Sequence, residues 1–219
     1  MVNARWKATL ALLCAIAEAP AAHAQEADPH GPSAPANRFA HRFRLEAHTP
    51  LLQLSAHAGL LQPILLRGFN AALDVRVRRF VLSYSHGEGI EGLEALGALT
   101  PTAQSRGATL SMPFSTGGGV GVTLIDELYV LLDVKFHRYA LVDGDQRVEY
   151  STLTLGGEVG YRLFLWKGAH LALAVRYWPN VWTSIPNGTA VRGESHRAAE
   201  QGFHGLFANM LFGWAFDVL

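Results

Sequence analysis

Residues 151–177 read STLTLGGEVGYRLFLWKGAHLALAVRY, and their spacing decides the fold class. Leu153, Leu155, Val159, Tyr161 and Leu163 share one parity; Thr152, Thr154, Glu158 and Arg162 share the other. A period of two belongs to an extended strand, whose side chains point alternately to opposite faces. Trp166-Lys167-Gly168 reads as a turn, and beyond it Leu171, Leu173, Val175 and Tyr177 alternate with His170, Ala172, Ala174 and Arg176.

The same rhythm recurs along the chain. Phe43, Leu45 and Ala47 alternate with Arg42, Arg44 and Glu46, and Leu73, Val75 and Val77 with Asp74, Arg76 and Arg78. After Arg78-Arg79 the parity flips to Phe80, Leu82 and Tyr84 against Ser83 and Ser85, as across a tight hairpin. Phe114, Val120, Val122 and Leu124 oppose Ser115, Gly117, Gly119, Gly121 and Thr123; Leu128, Val130, Leu132, Val134 and Phe136 oppose Asp133, Lys135 and His137. The chain finishes on Leu206, Ala208, Met210, Phe212, Trp214, Phe216 and Val218, with Asn209, Gly213 and Asp217 between. That makes eight strands. Three joints are tight (78–79, 124–127, 165–168), and four others (48–68, 89–112, 143–148, 179–202) are mostly longer. Alternating tight and long connections predict an all-β fold, an eight-stranded antiparallel up-and-down transmembrane β-barrel. The apolar stretch 51–66 leaves two readings, a short amphipathic segment or a displaced first strand.

Composition agrees. Among 219 residues there are 22 Gly, 11 Phe, 6 Tyr and 5 Trp, while charged residues are only 16% against ~25% in ordinary soluble domains. Eighteen basic and 18 acidic residues cancel, so no basic field advertises nucleic acid. Arg5 and Lys7, the apolar run Leu10–Ala17 and Ala22-His23-Ala24 read as a signal peptide over 1–24. Cys14 lies inside it after Leu13, which argues against a lipid anchor. Residues 25–39, rich in Pro and Ala, read as a disordered leader, and 40–219 as the barrel.

The charged rows hold Asp74, Arg76, Arg78, Asp133, Lys135, Glu158, Arg162, Arg176 and Asp217. A Lys or Arg facing lipid at mid-bilayer costs roughly 2–4 kcal/mol, so these residues are expected to line the interior as a paired network. An eight-stranded interior is about filled by side chains, so a polar plug is expected. Tyr84, Tyr161, Trp166, Tyr177, Trp178, Trp214 and Phe216 then read as interfacial aromatics. The inverse reading, an exported soluble lipocalin-like binder with its apolar rows inside, fits the same alternation.

The architecture resembles small bacterial outer-membrane β-barrels, the group containing the membrane domain of outer membrane protein A and its eight-stranded relatives. The resemblance covers 40–219 and rests on the signal peptide, the strand and loop alternation and the aromatic final strand 203–219. It implies residence in the outer membrane, lipid and lipopolysaccharide as surroundings, and delivery by the barrel assembly machinery. That machinery commonly recognises a terminal Phe or Trp, where this chain has Leu219.

Chemical motifs are sparse. Gly117-Gly118-Gly119-Val120-Gly121 lacks dinucleotide-fingerprint spacing and reads as curvature-relieving glycine. Metal-ligand spacings are absent, and no metal or other cofactor is expected. Tyr84-Ser85-His86-Gly87-Glu88 places hydroxyl, imidazole and carboxylate close in sequence. It supports a second reading, a membrane-embedded lipid A-modifying hydrolase using Ser83 or Ser85 with His86 and Glu88. Neighbouring strand residues point apart, however, so the favoured expectation is a monomeric barrel whose loops carry a structural, surface-interaction or small-solute role.

Overall fold

The computed structural model describes residues 51–96, 98–125, 127–199 and 205–218. Their strands are β1 (Leu52–Gly59), β2 (Phe69–Val77), β3 (Phe80–Ile90), β4 (Thr109–Thr123), β5 (Leu128–Asp143), β6 (Gln146–Trp166), β7 (Ala169–Tyr177), β8 (Asn180–Thr183), β9 (Thr189–Val191), β10 (Glu194–His196) and β11 (Leu206–Asp217). Short helices α1 (Leu61–Leu65) and α2 (Pro101–Ser105) interrupt two connections. From β1 to β7 each strand pairs antiparallel with the next, and β11 pairs with both β7 and β1. The result is a closed eight-stranded antiparallel barrel. Closure leaves no barrel strand without a neighbour on either side, so the sheet has no open edge.

The barrel's first strand differs from the sequence reading. Phe43–Ala47 lies outside the described residues, and the 48–68 connection contains β1 itself. In β1, Gln53, Ser55 and His57 point inward while Leu54, Ala56 and Ala58 point outward. Only two outward leucines and two small alanines mark its apolar row, so the alternation is faint although the pairing is complete.

Hairpin geometry explains the tight end. At 167–168 both residues take positive φ (Lys167 +40°, Gly168 +91°), the backbone hand that matches strand twist. Gly168 also sits against the Ala215 carbonyl, leaving no room for a side chain. At the opposite end β5 and β6, 16 and 21 residues long, outreach β2 and β7 at nine each. The β5–β6 hairpin therefore projects past the rest of the barrel. β8 pairs with that projection.

Outside, the surface is apolar. Leu73, Phe80, Leu82, Val120, Leu132, Val134, Leu155, Val159, Val175, Phe212 and Phe216 are all exposed large hydrophobics. On β5 the outward row runs Leu128, Val130, Leu132, Val134 and Phe136 before reaching Arg138. Arg138 shares one lateral row with Phe114 and Glu88, so charge begins at a common height on neighbouring strands.

Candidate functional site

The buried interior is where the charges meet. Arg162 donates to Asp74 Oδ2 at 2.7 Å and to Gln53 Oε1 at 3.4 Å, and His57 Nε2 lies 3.0 Å from the same Asp74 oxygen. Towards the tight-turn end, Arg76 grips both oxygens of Glu127, at 3.2 and 3.0 Å. Arg176 donates to Glu158, which also accepts from the Tyr129 hydroxyl at 2.8 Å. Lys135 donates to Ser85 and lies 4.4 Å from the Trp178 ring centre, with the Arg176 guanidinium 4.8 Å from that ring. Buried charge is tolerated only when paired and hydrogen-bonded, and here cations and anions interleave across strands. His137, His170 and Thr152 have no exposed surface, so no water-wide opening reaches them.

Of the nine charged residues expected in the lumen, Asp74, Arg76, Asp133, Lys135, Glu158, Arg162 and Arg176 are buried there. Two are placed differently. Arg78 occupies the β2–β3 turn with φ +53° and is exposed, because the strand ends at Val77. Asp217 keeps inward parity but ends β11 at the barrel mouth, exposed and accepting from Gln53 Nε2 at 2.8 Å.

Among the aromatics, Trp166, Trp214 and Phe216 cluster on the outer surface at the tight-turn end. The ring centroids of Trp166 and Trp214 are 6.2 Å apart, those of Trp214 and Phe216 6.4 Å. Tyr84 and Tyr177 are outward and exposed, and Tyr161 is outward and half-buried. Trp178 requires correction: it is 2% exposed and packs against Phe207 at 5.1 Å. Its even parity, shared with Arg176, turns it away from the surface that Tyr177 occupies. Trp182, four residues on, is exposed and lines a shallow cavity with Asn180, Asn187 and Arg197.

The hydroxyl–imidazole–carboxylate candidates come apart. Ser85 is buried on the inner row that also carries Ser83, whereas His86 lies on the other face against Phe114 at 5.3 Å and Glu88 is exposed. A different pair forms instead. Ser115 Oγ lies 2.9 Å from His137 Nδ1, and His137 Nε2 faces Thr154 Oγ1 at 3.2 Å. Ser115 and His137 are direct cross-strand partners, a relation visible only once register is known. The ring's second nitrogen meets a hydroxyl instead of an acid, and the pair has no opening to a substrate, so this is not a triad geometry.

Above the charged interior the long connections build a second core. Leu93, Leu99, Leu110, Met112, Leu141 and Val191 pack with Tyr139 and Tyr150, whose rings stack at 5.2 Å. Thr100 caps α2 by accepting from the Ala103 amide at 3.2 Å, with Pro101 in the first turn. At the far end of α2, Arg106 donates at 2.6 Å to Asp143 on the β5 tip and at 2.6 Å to Glu194 on β10. These bonds hold both carboxyls below the ordinary carboxylate range and keep the guanidinium firmly protonated. Burial pushes the neighbouring His196 imidazole down.

A carboxylate depressed by folding contributes stability above its ordinary range and loses that contribution as pH falls through its folded value. A depressed histidine loses its contribution as pH falls from about 6.5, where the unfolded chain is protonated first. Both act in one direction, so acid is expected to loosen the cap that the long connections and strand tips build over the charged interior. Hydrogen exchange of amides 100–108 and 189–199, corrected for intrinsic rate, is expected to be faster at pH 4 than at pH 7. In Arg106→Gln the exchange is expected to be fast already at pH 7; equal protection of the two proteins would contradict the clamp.

Comparison of the chain with protein-family models, with curated proteins and with solved structures gave no match.

Proposed function

We propose that this is an exported bacterial protein whose barrel spans the outer membrane as a monomer and presents the cap to the exterior in a structural or surface-interaction role. One observation carries the reading: the barrel is polar inside and apolar outside. A soluble ligand-binding barrel has the opposite polarity, since water must meet its outer rows. An outward apolar band about 25 Å tall, bounded by aromatics, is what an outer-membrane barrel requires. The outward row from Leu128 to Phe136, the charges beginning at Glu88 and Arg138, and the Trp166–Trp214–Phe216 cluster all support it. Lipid and lipopolysaccharide are then its immediate surroundings, and the barrel assembly machinery its route in. The packed interior favours surface interaction over solute passage. Parting of Ser85 from His86 and Glu88 speaks against the lipid-modifying alternative.

The test is gel mobility of detergent-extracted protein, unboiled against boiled, alongside cell fractionation. A closed barrel resists detergent until heated, so two mobilities and recovery with the outer membrane are expected. A single mobility with release into the soluble periplasm would overturn the proposal. In planar bilayers the protein is expected to give no sustained conductance; regular open steps would overturn the surface-interaction role.

A further inference from the structure

We propose, on the strength of the outer-membrane reading above, that the cleft beside Trp182 binds the phosphorylated sugar headgroup of an outer-leaflet glycolipid. A cavity of about 180 Å³ opens there, and its walls include Asn180, Val181, Trp182, Thr183, Asn187 and Arg197.

Both walls are held by hydrogen bonds. On one side β8 is tied to the projecting part of β6. The Ser184 amide donates to the Ser151 carbonyl at 2.9 Å, and the Ser151 amide to Ser184 Oγ at 2.8 Å. On the other side the Ala199 amide donates to the Tyr150 hydroxyl at 3.1 Å, which anchors the 197–199 segment in the cap core. The Asn180 side-chain amide joins the two walls by donating to the Ala199 carbonyl at 2.8 Å. Asn187 precedes a turn that Gly188 makes with φ +90° and an amide bond to the His196 carbonyl at 3.0 Å. Walls already held in place lose little freedom when a ligand arrives.

The lining side chains are unengaged. Trp182 is 51% exposed, and the side chains of Trp182, Asn187 and Arg197 make no hydrogen bond or ion pair with the described residues. An open indole face beside amide donors suits a sugar, whose C–H face packs on the ring while its hydroxyls meet the amides. A guanidinium fork matches two phosphate oxygens at once. Among the described residues no carboxylate lines the cavity, so an anion meets no like charge there. The volume is well under the ~300–1,000 Å³ of pockets that enclose drug-sized molecules, so the cleft takes one ring from its open side.

Height on the barrel decides where that sugar comes from. Trp182 pairs with Leu153, and Leu153 with Phe136 at the top of the outward apolar row. On the next rung Ser151 faces Arg138, where charge begins. The cleft therefore straddles the boundary between apolar band and polar cap, the level of lipid headgroups. A glycolipid of the lipid A type presents phosphorylated glucosamine at that level and lays its acyl chains on the rows below.

Titration of the folded full chain in detergent, read by native mass spectrometry, tests the site. The probes are bisphosphorylated lipid A, its dephosphorylated form, phosphatidylglycerol and glucosamine 6-phosphate. Lipid A is expected to saturate at one per chain, and each of the other three to bind at least ~10-fold more weakly. Trp182→Ala and Arg197→Gln are each expected to weaken lipid A binding by at least ~10-fold. Trp166→Ala, at the opposite end of the barrel, is expected to leave it unchanged. Both cleft positions are exposed, so these variants are expected to keep the heat-dependent mobility of the folded barrel; the ranking of probes on the wild type needs no variant. Phosphatidylglycerol binding as tightly as lipid A, or undiminished lipid A binding by both cleft variants, would overturn the site. Glucosamine 6-phosphate binding as tightly as lipid A would overturn the lipid source. Recovery with the outer membrane but no preference for lipid A would overturn this site alone, whereas release into the soluble periplasm would remove the membrane reading beneath it.

Discussion

Glu158→Ala is expected to lower the stability of the folded barrel by about 3–5 kcal/mol, the cost of leaving one member of a buried ion pair alone. Glu158 is 3% exposed and takes both the Arg176 guanidinium and the Tyr129 hydroxyl. Without it Arg176, 6% exposed, is left with the face of Trp178 and the nearby charge of Asp133, and a ring face replaces little of a hydrogen-bonded carboxylate's charge. The companion variant Glu158→Leu with Arg176→Leu removes the orphaned charge and is expected to recover most of the loss, since hydrophobic replacement of a buried pair is often neutral. Urea unfolding in lipid vesicles reads both. Equal destabilisation by the single and double variants would show that the charges are solvated and that the interior is wetter than its geometry implies.

Leu132→Arg is expected to cost about 2–4 kcal/mol in a bilayer. Leu132 is 56% exposed, midway along the outward row of β5 between Leu128 and Phe136. On a water-facing surface a change at such a position stays within about 0.5 kcal/mol. The same substitution therefore reports what lies against the barrel wall. Glu149→Arg, on the projecting part of β6 above the band, serves as the control and is expected to change little. If Leu132→Arg and Glu149→Arg are equally mild in vesicles, the outward rows do not face lipid.

Most strands were legible because the side-chain period of two survives wherever leucine or valine faces serine, threonine or charge. Thr152–Leu163 and Leu171–Tyr177 needed nothing further. β1 was not, because Ala56, Ala58 and Gly59 carry too little contrast to register as a row. Trp178 reads as outward from its aromatic neighbours, although its parity with Arg176 turns it inward. The Ser85-His86-Glu88 proximity was a proximity of sequence only, and strand geometry undid it. The cap was invisible: Leu93, Leu99 and Val191 show no periodicity, and Arg106 lies far along the chain from Asp143 and Glu194.

By itself the sequence determined the class of the molecule, because alternation, charge parity and turn spacing are local properties, readable one strand at a time. Which side of the sheet faced inward, and which residues met there, depended on closure and register. Those come from all eight strands together. Register puts Ser115 opposite His137, and only the closed barrel gathers Asp74, Arg162 and His57 from three strands. Cross-strand partners far apart in sequence leave no mark in the sequence between them, so the contents of the interior belong to tertiary structure alone.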